Sequence, residues 1–195
     1  MWYIFQRVKL ISDKNIVIVT SNQKKDNKIV NFCQTNNIEY FRGSLNNVMK
    51  RSIDCCSYYK FDYFMRICAD RPFLDFNLGK KMIKQNLKNY DLITNSFPKS
   101  FPSGLTCELI KVIALKKIFK KNLNDNFKEH ICDYFYKNSK KFKIKNLRSN
   151  YNQKIINMNL SLNTKKDLKK VIMCYKYFNF DPKLMSQKAI KYFSK

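Results

Sequence analysis

Five short polar segments stand directly behind apolar, strand-like runs: Thr20 with Ser21, Arg42 with Gly43 and Ser44, Asp70 with Arg71 and Pro72, Asn95 with Ser96, and Asn163 with Thr164. An open α/β sheet binds its ligands at the carboxyl ends of its strands, so these segments are where chemistry is expected. Their residue types suit an anionic ligand. Arg66 and Arg71 bracket Asp70, and a guanidinium fork pairs with phosphate or carboxylate through parallel donors. Plainer roles stand beside these. Asp70 also suits a turn or a helix start, Arg66 a salt bridge beside its strand, and Arg51 a solvated helix face. Gly43 suits the backbone turn after its strand. Glu108 suits either orientation of a ligand or the end of an exposed strand. His130 is the only histidine and follows Glu129. A lone histidine near a helix start reads first as structural, so it is not assigned as a general base. Glu129 suits the positive N-terminal end of a helix.

The elements that must hold these residues alternate. Residues 15–20 form a β-branched run, the pattern of a buried parallel strand. Helical spacing follows over 26–36, then a strand over 38–41, a helix over 46–58 and a strand over 63–68. A helix over 76–87, capped by Asp75, and a short strand over 92–95 complete the first half. This order argues for an α/β fold with a mostly parallel sheet and helices on both faces. Beyond Asn95 the pattern changes to a proline-rich loop over 96–104, a strand over 105–110, and helices over 112–121 and 125–136. A strand near 142–144 and a late strand over 155–162 follow. Thr164 to Asp167 opens a helix in the manner of a capping box, with Asp in place of Glu or Gln, and a last amphipathic helix follows Pro182. The expected organisation is one domain over 1–180 with a helical tail over 181–195.

Composition bounds the function. An apolar content of 45% over 195 residues builds one core and excludes global disorder. No run approaches the roughly 18 apolar residues of a membrane helix. Residues 1–10 carry Arg7 and Lys9 and no small-residue cleavage site, unlike a signal peptide; no membrane insertion and a cytoplasmic location are expected. The net charge of +25 points first to nucleic acid or an anionic membrane. Lys far outnumbers Arg, however, and Asn, Ile, Phe and Tyr are also abundant, as AT-rich codon usage produces. The lysines are spread along the chain. Composition rather than a nucleic-acid surface is the better account of the charge. Seven cysteines without a C-x-x-C pair, beside one histidine, argue against a zinc site and for free thiols.

Motifs in order carry a family resemblance. Residues 41–51, FRGSLNNVMKR, resemble the F-R-G-S-x-x-D-V-L-x-R stretch of the cytidylyltransferases that include spore-coat polysaccharide proteins, CMP-Kdo synthetases and acylneuraminate cytidylyltransferases. Residues 66–75, RICADRPFLD, resemble R-I-T-G-D-x-P-L-I-D, and 101–108, FPSGLTCE, resemble F-P-D-G-L-D-V-E. Residues 129–131 resemble E-H-V, and 162–168 resemble V-D-T-x-x-D-L. The resemblance implies a three-layer α/β/α, Rossmann-like nucleotidyltransferase fold that joins a sugar or sugar acid to the CMP moiety of CTP and releases pyrophosphate. It implies Mg²⁺ held by Asp70 and Asn163, with Arg66 and Arg71 beside Asp70 in catalysis. It places Arg42, Gly43, Ser44, Arg51, Gly104, Glu108, Glu129 and His130 around nucleotide or sugar, and it leaves a homodimer open.

Departures from the pattern set a second expectation. The family opens with a strand and a loop like A-R-x-G-S-x-R-L-P-G-K, whereas residues 1–8 here resemble the helix after that loop, and three glycines are too few to rebuild it elsewhere. The V-D-T aspartate is Asn163, the D-V-L aspartate is Asn47, the G-L-D aspartate is Thr106, and Ala69 precedes Asp70 where Gly is usual. A non-catalytic protein or assembly partner that keeps the fold is therefore the competing reading, and a basic nucleic-acid-binding protein the weakest.

Overall fold

Leu92 and Ile93 are neighbours in the chain but belong to different cores, as a strand with helices on both faces requires. The computed structural model describes residues 1–121 and 123–194. The first half contains α1 (Trp2–Lys9), β1 (Val17–Ser21), α2 (Asn27–Thr35), β2 (Glu39–Gly43), α3 (Val48–Tyr58), β3 (Tyr63–Arg66), α4 (Phe76–Ile83) and β4 (Leu92–Thr94). The second contains β5 (Glu108–Lys111), α5 (Val112–Phe119), α6 (Asp125–Glu129), α7 (Asp133–Lys137), β6 (Ile144–Asn146), α8 (Gln153–Ile156), α9 (Lys165–Tyr177) and α10 (Ser186–Phe193).

The larger sheet has the order β3-β5-β4-β6. β5 runs antiparallel to both β3 and β4, while β4 and β6 are parallel, so three of its four strands run one way. β1 and β2 pair in parallel as a separate sheet. The three-layer, mostly parallel α/β expectation therefore holds, with the single sheet of the sequence reading divided in two. Leu92 and Ile110 face a core built with α3, α5 and α7, whereas Ile93 and Leu109 face one built with α1 and α4. A third core gathers Phe73, Leu105 and Leu160 with Val171 and Tyr175 of α9 and Ile190 of α10.

One buried cation ties the first and last segments together. Arg7 has no exposed surface; its Nε and Nη2 donate to the Leu74 carbonyl at 3.0 and 2.7 Å, and its Nη1 to those of Pro182 and Leu184 at 3.0 and 2.8 Å. Burial lowers its pKa, and Tyr175 and Asp75 work against that.

Local signals behave as their chemistry dictates. The Asn47 side chain caps α3 by accepting from Lys50 N–H at 2.8 Å, and Asp75 caps α4 by accepting from Leu78 N–H at 3.0 Å. Thr164 and Asp167 form both halves of a capping box on α9. The links into β1, β2 and β3 each turn through a left-handed residue: Asn15 (φ 58), Asn37 (φ 52) and Lys60 (φ 58). Two expectations are corrected. The helix over 125–136 is broken at His130 to Cys132 into α6 and α7. The late strand over 155–162 is α8 followed by an isolated bridge between Ser103 and Asn159. Asn152 accepts from Ile155 N–H at 3.1 Å and starts a helical turn there. Among the described residues no helix is long and apolar enough to cross a membrane, and the seven cysteines are free.

Candidate active site

Pairing register brings the chemistry together. Glu108 opens β5 and lies opposite both Arg66, the last residue of β3, and Thr94, the last of β4. It sits against a cavity of about 600 Å³ that also collects Asp70, Arg71, Gly104, His130 and Asn163. Glu108 is only 4% exposed, so its alternative as the end of an exposed strand is ruled out. Its Oε2 lies 3.6 Å from Arg66 Nη1 and 3.8 Å from Arg71 Nη1. These are ion-pair contacts rather than hydrogen bonds, and Oε2 has no hydrogen-bond partner. Ser96 Oγ donates to the other oxygen at 3.2 Å. Two guanidinium groups therefore share one buried carboxylate. Burial opposes the charge of Arg66, but Cys68 and Glu108 outweigh it and raise its pKa. Arg71 also donates to the Thr106 carbonyl.

Asp70 stands apart from this compensated triad. Its Oδ1 is buried and has no hydrogen-bond partner. Its backbone carbonyl accepts from Leu162 N–H at 2.8 Å, which places it next to Asn163. The helix-start role belongs to Asp75 and not to Asp70. A buried carboxylate oxygen without a donor is costly unless a cation reaches it, so Asp70 fits a hard divalent ion as one of few protein ligands. Asn163 is exposed at the rim, its N–H donating to Asp167 at 3.2 Å, and it offers an amide oxygen without charge. Among the described residues no three His, Cys, Asp or Glu side chains group to hold a metal. Any ion there would depend on Asp70, water and ligand oxygens.

Glycine shapes one wall. Gly104 has φ +92, and a Cβ there would lie 2.5 Å from the Leu160 carbonyl carbon, so no other residue fits. The opposite wall holds Tyr136, whose hydroxyl lies 3.0 Å from Thr94 Oγ1 and whose ring stacks on Phe97 at 4.9 Å. Burial first, then Cys132 and Glu108, push its phenol far above the usual range, leaving a neutral hydroxyl. Burial likewise keeps the Cys132 thiol protonated. Tyr136 and Lys99 line the cavity without having been singled out in the sequence. The spacing of Tyr136 reads as core, and only the break between α6 and α7 and the pairing of β4 bring it to the strand ends.

Other expected residues lie elsewhere. Arg42 donates to the carbonyls of Ser21 and Gln23, each at 3.0 Å. Arg51 Nη1 donates to the Ser44 carbonyl at 2.8 Å, and Ser44 Oγ accepts from Asn47 N–H at 3.1 Å. Arg51 is half-buried rather than on a solvated face; burial lowers its pKa, and its Nε has no partner. Gly43 lacks the positive φ of a turn glycine; a Cβ there would meet Arg51 Cγ at 2.7 Å, so it serves a close approach. Glu129 ends α6 instead of starting it. Arg51 and Glu129 line a second cavity of about 710 Å³ between β1 and β3, and His130 borders both cavities.

A protein from Methanocaldococcus jannaschii, uncharacterized protein MJ1063, is 30% identical over 166 residues, covering 85% of this chain and 67% of that protein. The spore coat polysaccharide biosynthesis protein SpsF of Bacillus subtilis is 24% identical over 180 residues, covering 90% and 73% respectively. A cytidylyltransferase structure from Leptospira borgpetersenii serovar Hardjo-bovis superposes with a TM-score of 0.91 at 23% identity, over 98% of this chain and 81% of that one. The fold also matches a CMP:2-keto-3-deoxy-manno-octonic acid synthetase solved with CTP, with a TM-score of 0.63 at 9% identity, over 90% and 87% of the two chains. The cytidylyltransferase family profile matches residues 1–192, and the chain belongs to that family.

Proposed function

We propose that this chain serves nucleotide-sugar synthesis for surface polysaccharide, with the reaction CTP plus a sugar or sugar acid giving CMP-sugar and pyrophosphate. The observation that carries this reading is the pairing of Arg66 and Arg71 on buried Glu108 beside Asp70, whose Oδ1 has no partner. In such a transfer, a sugar hydroxyl oxygen bonds to the α-phosphorus as the bond to pyrophosphate breaks. Negative charge spreads over the phosphoryl oxygens, and fixed cations stabilise it without reorganisation. Arg66 and Arg71 supply that field once a phosphate or sugar carboxylate competes with Glu108 for their donors. Mg²⁺ would be held by Asp70 with Asn163 as a neutral second ligand, and it would neutralise phosphate charge. Gly104 and Tyr136 shape the wall on which the sugar rests.

The replacement of a second metal carboxylate by Asn163 favours the competing, non-catalytic reading for the chain as it stands. CTP with Mg²⁺ is accordingly expected to bind weakly by calorimetry, and low-micromolar affinity would remove that second reading. The decisive assay is CTP-dependent pyrophosphate release with a panel of sugar acids and amino sugars. Asp70→Asn lowers turnover about a hundredfold or more, and Asn163→Asp raises it. Unchanged turnover in Asp70→Asn rejects the metal role. If every variant is inactive while its circular dichroism is native, the non-catalytic reading stands.

A further inference from the structure

The outer face of α9 carries apolar side chains that no described residue covers. Val171, Cys174 and Tyr175 turn inward. Leu168, Ile172, Met173 and Tyr177 turn outward, with Phe180 just beyond the helix, and these five are between 44% and 63% exposed. Positions four apart are neighbours on a helix surface, so Leu168 and Ile172 form one row of that face and Met173 and Tyr177 another. Phe180 completes the patch at a cost. It follows left-handed Asn179 and is itself left-handed (φ 54), with its N–H donating to the Tyr175 carbonyl at 2.7 Å. Bulky residues rarely adopt that conformation. A half-exposed phenyl ring thus stands where glycine would end the helix without strain.

Charge names what covers this face. Lys165, Lys166, Lys169, Lys170 and Lys176 are exposed on the same helix, and among the described residues none of them pairs with a carboxylate. Asp167, the one acid of α9, is taken up by the capping box. Lys165 and Lys166 stand in the first turn, where the helix dipole disfavours cations. Placement rather than total charge is the point: four lysines lie over the first two turns and the apolar patch mainly over the last two. A second copy would set these lysines against their counterparts or lay them over its own apolar patch, and neither satisfies the ammonium groups. A nucleic acid would answer the lysines and leave Leu168, Ile172 and Met173 without a role. An anionic lipid surface answers both. Alkyl and aromatic ends enter the boundary below the headgroups, while the ammonium groups stay at the phosphates. We propose that α9 is a peripheral docking face for an anionic lipid bilayer, on which it lies flat without spanning it. The proposal goes beyond the reading of the active site and does not depend on it.

Vesicle co-sedimentation of the 195-residue chain tests it, with phosphatidylcholine alone and with about one-third phosphatidylglycerol added. The anionic vesicles are expected to bind far more tightly. Any face of a cationic protein can bind such vesicles, so position decides. Lys169→Glu with Lys170→Glu is expected to weaken binding about tenfold or more, and Met173→Ser with Phe180→Ser about tenfold. The same charge reversal on α5, which packs in a different core, is expected to weaken it far less: Lys117→Glu with Lys120→Glu. Tyr177→Trp in a Trp2→Phe background reports contact directly, and its emission is expected to shift to the blue on anionic vesicles. These variants change exposed side chains, and circular dichroism checks each fold. The proposal is overturned if the α5 pair weakens binding as much as the α9 pair, or if Met173→Ser with Phe180→Ser leaves binding unchanged. It is also overturned if the tryptophan emission does not move on vesicles. A blue shift that grows with protein concentration without vesicles overturns it in favour of a second copy, and one seen on duplex DNA in place of vesicles overturns it in favour of nucleic acid.

Discussion

β4 is buried at Leu92, Ile93 and Thr94, whereas in β1 Val17 and Ile18 are half-buried and Val19 is 37% exposed. The residue types are nearly interchangeable; the difference lies in what stands beside them. β4 has β5 on one side and β6 on the other, with helices over both faces. β1 has β2 on one side and the cavity on the other. β3 repeats the contrast, because all four of its residues are half-buried although they are Tyr, Phe, Met and Arg. Apolar patterning sets the tendency to form a strand, and the neighbours set how much water the strand excludes.

The largest test of this comparison removes equal side chains from the two regions. Leu92→Ala is expected to cost about 3 kcal/mol by urea unfolding, since it opens a cavity in a fully closed core. Ile18→Ala is expected to cost about 1 kcal/mol or less, because much of that side chain still meets water. Equal losses would break the comparison by showing that β1 is as enclosed as β4.

A second, smaller difference is expected at two glycines. Gly104→Ala meets the Leu160 backbone at a positive φ, whereas Gly43→Ala meets the side-chain stem of Arg51. Rigid backbone cannot yield, so Gly104→Ala is expected to lose about 2 kcal/mol of stability and Gly43→Ala about half that or less. Thermal denaturation of both variants decides it, and a reversed order would mean that the wall against Leu160 is the more yielding one.

The smallest effect sharpens the picture at the end of β1. Asp26 accepts from Ser21 Oγ at 2.5 Å, from Thr20 Oγ1 at 3.1 Å and from Ser21 N–H at 3.2 Å. The bond from Ser21 is the main reason that its pKa lies below the ordinary 3.8. A folded-state pKa below the unfolded one gives stability that is fully present above about pH 4 and is lost as pH falls through the folded value. Amide exchange over 17–21 is therefore expected to quicken on acidification below pH 4, and β4 to hold longer. Asp26→Asn should flatten that dependence; an unaltered profile would assign the acid response to other carboxylates.

Much of the first half was legible because its signals are local. Asn47, Asp75 and Thr164 cap the helices they precede, and β-branched runs mark the strands. The surroundings of Arg42 and Gly43 were less legible, because Arg42 donates to the Ser21 and Gln23 carbonyls and Gly43 lets Arg51 approach, contacts set by the packing of β1, β2 and α3. The late strand over 155–162 was misread for the same kind of reason: an apolar run does not say whether a partner edge will be there, and one bridge to Ser103 was all that formed.

The sequence by itself determined the α/β class, the order of the early elements, the helix caps and the family motifs around Asp70, since each depends on residues a few positions apart. Tertiary structure alone decided that Glu108 lies between Arg66 and Arg71, that Tyr136 reaches the end of β4, and that β1 and β3 face an open slot. Those facts depend on strand order and register, which bring together residues tens of positions apart, and no local propensity encodes which edge meets which.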